Sequence, residues 1–251
     1  MSQERILPAR PTAPAVDGSI AILQLLVNAS YPLTQAEISA QTGIPAASCY
    51  RILGSLLQAQ LVVMDPGRKK SYAIGSRIFQ MASSIYGRQS IIPYFHPIAE
   101  ILKNEVHKTV LLSIPVGNTV VVVAKLESAL GHRFHAYIGQ TLPLHRAAAG
   151  KAILSLRSKD YLQAYLDGEY LLAPPELRTQ LERAQRLGYA VTHDEIESGV
   201  SCLAAPVVNL SHEPIAAISI CVASNELSEQ ASRSYSSPLI QAARQLAARI
   251  G

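Results

Sequence analysis

The side chains of this chain that could do chemistry are its cysteines, its histidines, one Gly-Lys pair and a scatter of cations, and spacing decides what each can do. Cys202 with His145 or His193 offers a thiol and a base, the minimum for nucleophilic catalysis. No nucleophile signature surrounds Cys202, and a thiol within an apolar strand more often behaves as a small inert hydrophobe. Gly150-Lys151 ends a segment resembling a phosphate-binding loop. His145 stands where that loop's first glycine belongs, however, and Ala152 where a Ser or Thr should meet magnesium. His132, His135, His145, His193 and His212 show no metal-ligand spacing on one element. His132 and His135, three apart in an expected strand, would point to opposite faces. Neither a metal nor another cofactor is expected, and catalysis is not the favoured chemistry.

The cations have a clearer context. Residues 33–63, LTQAEISAQTGIPAASCYRILGSLLQAQLVV, have the pattern of two short helices joined by a glycine turn and followed by a strand. That is the layout of a DNA-binding helix-turn-helix. Thr34 with Glu37 three residues on makes a capping-box pattern. Gly43 supplies the positive φ that a turn between crossing helices needs, and Pro45 opens the second helix. Cys49, Ile52, Leu53, Leu56 and Leu57 recur at helical spacing as the inward stripe. Ala46, Ala47, Ser48, Tyr50 and Arg51 begin that helix; small residues, hydroxyls and an arginine on an outward face can lie against base-pair edges. An apolar stretch at 61–64, the turn Asp65-Pro66-Gly67 and a return through 68–74 predict a hairpin wing. Arg68, Lys69 and Lys70 at its tip are placed for phosphates or a minor groove. Thr34, Ala46, Ala47, Ser48, Tyr50, Arg51, Arg68, Lys69 and Lys70 are therefore the candidate DNA contacts.

The elements that must hold these residues fit a two-domain chain. Its 251 residues are 49% apolar and 16% charged, enough for a substantial core, and no apolar run approaches a transmembrane helix. The beginning, MSQERILPARPTAPAVDG, lacks the apolar stretch of a signal peptide. Three scattered cysteines without a CxxC make a reducing cytoplasm the expected compartment. The net charge of +4 is uneven, because Arg5, Arg10, Arg51, Arg68, Lys69, Lys70 and Arg77 outnumber Glu4, Asp17, Glu37 and Asp65 in residues 1–80. Such a weakly basic head needs a second copy to hold DNA well. The expected organisation is a disordered leader at 1–15, a winged helix-turn-helix at 16–75, a linker helix at 76–90 and an effector-binding domain at 91–251. The first helix is expected from Asp17 or Ser19, with Ile20, Ile22, Leu23, Leu25, Leu26 and Val27 on its buried side.

After a helix flanked by Pro93 and Pro97, the periodicity shortens. Strands are expected at 109–114 and 119–125, joined by Pro115-Val116-Gly117-Asn118, and then at 132–138, 189–192, 203–209 and 215–222. Helices are expected near 148–156, 158–166, 175–187 and 228–250. Hairpins mixed with helices give an α+β fold with a largely antiparallel sheet.

The segments GQTLPLHRAAAGKAILS (139–155), GYAVTHDEIESGVSCLAAPV (188–207) and AAISICVA (216–223), together with the head, resemble the IclR (isocitrate lyase regulator) family of bacterial transcription factors. The resemblance implies an N-terminal winged helix-turn-helix, a linker helix and a C-terminal GAF-like domain. It further implies a double-stranded DNA operator, a homodimer or homotetramer, and a small organic acid as effector. By position, Ala148 and Ala149 match small residues whose backbone faces the ligand, and Cys202 matches a cysteine of that pocket. Gly150 completes the helix start, whose N–H groups suit a carboxylate. Ser219 and Cys221 lie two apart on a strand and share a face. Relatives usually carry Ser-x-Ser there, and an acid where this chain has Thr192, so a ligand other than glyoxylate or pyruvate is expected; less repulsion of a second carboxylate favours an aromatic acid or dicarboxylate. Arg133 and His135 would reach that acid's second polar group. The expected function is a ligand-responsive regulator of a catabolic operon, with no membrane association. An enzyme on a similar α+β body carrying a DNA-binding head stands as the alternative.

Overall fold

The structure is a computed structural model that describes residues 13–86, 91–129, 134–167 and 176–250. Backbone contacts divide it into two compact units, Met1–Arg88 and Gln89–Gly251.

The first unit runs α1 (Pro14–Asn28), β1 (Leu33–Thr34), α2 (Gln35–Thr42), α3 (Ala46–Gln58), β2 (Val62–Met64), β3 (Ser71–Ile74) and α4 (Ser76–Tyr86). Helix α1 starts earlier than expected, inside the stretch assigned to the leader, because Pro14 occupies a first-turn position where a missing N–H costs nothing. Only one stripe of the apolar run 20–27 can face inward: Ile22 and Leu26 are buried, while Ile20 and Val27 are 42% and 64% exposed. They meet Ile38, Cys49, Ile52, Leu53 and Leu56 in a single small core. Gly43 ends α2 at φ 73°, as the turn requires. The two wing strands are antiparallel, and sequence reasoning missed a third, β1, whose two residues pair with Tyr72 and Ser71. A strand that short has no periodicity to read.

The second unit runs α5 (Ile92–Val106), β4 (Thr109–Val116), β5 (Thr119–Leu126), β6 (Thr141–Pro143), α6 (Ala148–Leu154), α7 (Lys159–Asp167), α8 (Leu177–Leu187), β7 (Ala190–His193), β8 (Val200–Val208), β9 (Pro214–Ala223) and α9 (Glu229–Ile250). The sheet is ordered β6-β5-β4-β9-β8-β7, and every pairing is antiparallel. Alternation divides its faces. Val110, Leu112, Leu203, Ala205, Ala216, Ile218, Ile220 and Val222 join α5 and α9 in one core. Ala204 and Ala217 face the other way, toward α6 and α8. Among the described residues, no helix is long and apolar enough to cross a membrane.

Over its described part, 134–138, the strand expected at 132–138 does not form. Residues 130–133 lie outside the described residues, and 134–138 run as irregular chain. The Lys125 ammonium donates to the Ala136 carbonyl (2.6 Å), satisfying a backbone group that a ladder would otherwise serve. Phe134 and Ala136 pack instead against the patch formed by Leu111, Val122 and Cys221.

Helix α6 lies unusually close to the chain before it. A Cβ added at Gly150 would sit 2.2 Å from the Leu144 carbonyl oxygen, so only glycine fits. Gly150→Ala should therefore destabilise the second unit by about 1–3 kcal/mol through forced overpacking. Gly54→Ala in α3, where the new methyl meets nothing within 4 Å, should be neutral or stabilising by up to about 1 kcal/mol. Urea denaturation of the two variants checks the contrast.

Candidate functional site

On the first unit, α3 turns Ala46, Ala47, Tyr50 and Arg51 to solvent, with Ser48 half-buried beside them. Arg51 reaches back to the Ser48 hydroxyl at 3.5 Å, a contact too long to hold it. The outward face expected from the sequence is thus present and accessible. At the wing, the Asp65 carboxylate accepts the N–H groups of Gly67 and Arg68, which tightens the turn. Lys69 and Lys70 are exposed there and, among the described residues, unpaired.

Arg68 and Thr34 are placed differently from the expectation that both meet DNA. The Arg68 guanidinium donates to the Pro32 carbonyl (2.6 Å) and to Glu37 (2.9 Å), and lies over the Tyr31 ring. The Glu37 carboxylate in turn accepts the Thr34 N–H (2.7 Å) and hydroxyl (2.8 Å). Arg68 is a clasp between the wing and the start of α2, and Thr34 is a helix cap. The bonds from the Thr34 N–H and then from Arg68 pull the Glu37 pKa from about 4.5 down to about 2.

On the second unit, a cavity of about 70 Å³ lies between the sheet and the α6 side. Its walls include Ala148, Ala149, Thr192, Cys202, Ser219 and Cys221. That is larger than the roughly 10–15 Å³ that one water needs. The alternation of β9 brings Ser219 and Cys221 to this face together, as their spacing predicts. Cys202 stands directly opposite Cys221, their sulfurs 3.2 Å apart.

Two expected members are absent from the lining. Gly150 serves the close packing against Leu144 and does not reach the cavity. His135 is exposed, because its neighbours Phe134 and Ala136 take the inward positions. Arg133 lies outside the described residues.

The structure adds residues that sequence reasoning missed: Ser113, Phe134, Gln140 and Glu197. Ser113 had a signal, a lone hydroxyl within the apolar run of β4; Glu197 sits in a loop and had none. Ser113, Thr192 and Ser219 are 3%, 4% and 3% exposed, and their hydroxyls make no hydrogen bond among the described residues. Their oxygens open onto the cavity, where water or a ligand can partner them. Together they give the cavity a polar wall.

The other chemistry-bearing residues are committed elsewhere. His145 meets the Tyr165 hydroxyl at 2.8 Å, and burial first, then Arg146 and Lys151, push its pKa down so that it stays neutral. It does not line the cavity and so forms no base for Cys202. Lys151, 1% exposed, bonds to both oxygens of Glu195 (2.5 and 2.7 Å) and to Gln180 (2.7 Å), so it is no phosphate ligand. A wider groove of about 620 Å³ follows α8, β7 and the start of α9, where Arg183, Glu195 and Glu229 stand beside Leu187, Tyr189 and Leu227.

Comparison with known proteins places both units. Residues 84–248 match the family model described as bacterial transcriptional regulator IclR C-terminal, and residues 15–66 match the IclR helix-turn-helix domain. The transcriptional repressor IclR of Escherichia coli is 27% identical over 95% of this chain and 93% of its own length. The crystal structure of the Thermotoga maritima IclR superposes with a TM-score of 0.75 at 22% identity, covering 95% of this chain and 99% of that one. An IclR homolog from Microbacterium hydrocarbonoxydans, complexed with 4-hydroxybenzoate, gives 0.74 at 17% identity over 94% and 98% of the two chains.

The Glu37 clasp makes the first unit acid-sensitive. A carboxylate depressed in the folded state contributes stability that is fully present above its unfolded pKa near 4.5 and is lost as pH falls through about 2. Glu37→Gln should lower helix stability at neutral pH and should flatten the loss between pH 4.5 and 2. Circular dichroism melts across that range measure both.

Proposed function

The chain belongs to the IclR family of bacterial DNA-binding transcriptional regulators, and on that premise we propose that it controls a catabolic operon in response to a small carboxylate. It acts in the cytoplasm, binds a near-palindromic operator as a homodimer or a pair of dimers, and catalyses no reaction. Recognition lies with α3, through Arg51 assisted by Ser48 and Tyr50, while Lys69 and Lys70 meet phosphates. The exposure of Arg51, Tyr50, Lys69 and Lys70 supports that division, and a base-reading arginine specifies where phosphate contacts only position.

The observation that carries the effector reading is that the hydroxyls of Ser113, Thr192 and Ser219, on buried residues and without a hydrogen bond among the described residues, open onto one cavity. They are donors to a carboxylate, and Ala148 and Ala149 bring first-turn backbone N–H groups of α6 to the same wall. Leu111, Val122, Phe134 and Leu142 make the remaining walls apolar, suited to a ring or short chain. Glu197 accepts a proton donor at the ligand's other end. These requirements together describe a hydroxylated aromatic monocarboxylate. The 4-hydroxybenzoate complex of a protein with the same fold supports that choice. At about 70 Å³ the cavity is smaller than the roughly 150 Å³ of a benzene-binding site, so its walls must move apart to admit one ring.

The first test is calorimetry with benzoate, 4-hydroxybenzoate and short oxo acids. Ser219→Ala should weaken the best ligand by about 1.5–3 kcal/mol, because the lost hydrogen bond meets a charge, with DNA affinity in the absence of ligand unchanged. Failure of every acid to bind the unmodified protein defeats the effector reading.

The second test concerns DNA. Arg51→Ala should cost about 1–3 kcal/mol per half-site against the selected operator. Lys69→Ala with Lys70→Ala should weaken all sequences alike and flatten the salt dependence. Half-sites should lie about 34–36 Å apart or at multiples of that. The exposed Phe79 and Met81 of α4 supply part of the dimer contact. Light scattering that finds a monomer bound to a half-site at full affinity overturns the assembly.

A further inference from the structure

Cys202 and Cys221 stand in the cavity wall, and the proposed carboxylate contacts give their thiol chemistry no role. They face each other across the β8–β9 ladder, and their sulfurs are 3.2 Å apart at the edge of the cavity. The Ser224 N–H donates to the Gly199 carbonyl on the same ladder. Rungs alternate along an antiparallel pair, so Ser201 and Val222 occupy a hydrogen-bonded rung and Cys202 and Cys221 a non-bonded one. Opposed Cα atoms on such a rung lie about 4.5 Å apart, inside the roughly 4.4–6.8 Å span of a disulfide. Closing the bond brings the sulfurs to about 2.05 Å without moving either strand to a new register.

We propose that Cys202 and Cys221 are a peroxide-responsive dithiol, which closes to a disulfide on the cavity wall and thereby weakens ligand binding. Its consequence for ligand rests on the cavity being the effector site; the sulfur chemistry does not. Cys202 is partly exposed and Cys221 is buried, so peroxide arriving through the cavity meets Cys202 first. The Cys202 thiolate attacks one peroxide oxygen, the O–O bond breaks, and the second oxygen leaves as water after taking a proton. Cys202 is then a sulfenic acid. The Cys221 sulfur displaces its hydroxyl, forming the S–S bond and releasing the second water with the Cys221 proton. Two thiols are oxidised and one hydrogen peroxide is reduced to two waters.

The contact with Cys202, and burial, hold the Cys221 thiol well above its ordinary pKa, so attack on peroxide falls to Cys202, and Cys221 reacts only with the sulfenic acid formed in contact with it. The disulfide draws the two sulfurs together and stiffens the wall beside Ser219. Cys49 is an internal control: it is buried in the first unit's core, with its pKa raised by burial.

The full chain treated with graded hydrogen peroxide, then alkylated and digested, should show a linked Cys202–Cys221 peptide two hydrogens lighter than the reduced pair. It should form at doses that leave Cys49 reduced, and dithiothreitol should reverse it. Cys221→Ser should instead accumulate a Cys202 sulfenic acid that dimedone traps. Calorimetry with 4-hydroxybenzoate should find binding at least tenfold weaker to the oxidised protein, and insensitive to peroxide in Cys202→Ser. Oxidation of Cys202 to a sulfinic acid without the link, or equal oxidation of Cys49, overturns the proposal. So does a linked protein that binds 4-hydroxybenzoate as well as the reduced one. Binding to neither form would instead count against the effector reading, while the peptide result still decides whether the dithiol closes.

Discussion

The two-residue alternation of the central strands β4, β9 and β8 is the constraint on which the second unit depends. Ala216, Ile218, Ile220 and Val222 face α5 and α9, while Ala217, Ser219 and Cys221 face α6 and the cavity. A slip of one residue would drive hydroxyls into the α5–α9 core and expose its aliphatic partners to the cavity. The register thus fixes the core and the polar wall with one set of backbone hydrogen bonds. The wall can carry unpartnered hydroxyls because the opposite face supplies the burial that keeps the sheet folded.

Helix α6 closes the cavity only because two features hold it against the sheet. Gly150 lets it approach the Leu144 carbonyl, and Lys151 anchors it to Glu195 and Gln180. A buried ion pair of this kind contributes little net stability relative to an apolar replacement, since removing both charges from water is expensive. It does fix geometry, because either partner alone would be left uncompensated. The Arg146 side chain reaching the Glu195 carbonyl ties the same loop again. Glu197 belongs to that loop, so the acid on the cavity wall is positioned by charges outside it.

The first unit separates structure from recognition in a comparable way. The chain Arg68, Glu37, Thr34 joins wing, α2 and β1 through bonds at a half-exposed site. That leaves the outward side of α3 and the two wing lysines free of structural duty. Arg51, with only a long contact to Ser48, can adopt the rotamer a base pair requires.

How much of this was legible in the sequence follows from the range of the interactions. Helical and strand periodicity, the capping box, Gly43 and the common face of Ser219 and Cys221 are local, and local spacing determines them. The segments matching the IclR family carried the fold and placed Ala148, Ala149, Thr192, Cys202, Ser219 and Cys221 around one cavity. Gly150 looked like part of the ligand site and proved to be a packing contact, because the carbonyl it avoids is six residues away and its direction depends on the path of the chain. His135 was expected inside, but no ladder partner forms for its segment, so Phe134 and Ala136 alone turn inward. Arg68 was read as a phosphate ligand, since nothing in its own neighbourhood announces Glu37, 31 residues earlier. Local spacing in the sequence set most of the elements, their faces and the family, while β1 and the irregular chain at 134–138 depended on pairing partners remote along the chain. The tertiary structure alone decided which polar groups were left without partners, because hydrogen-bond satisfaction depends on distances between segments remote along the chain.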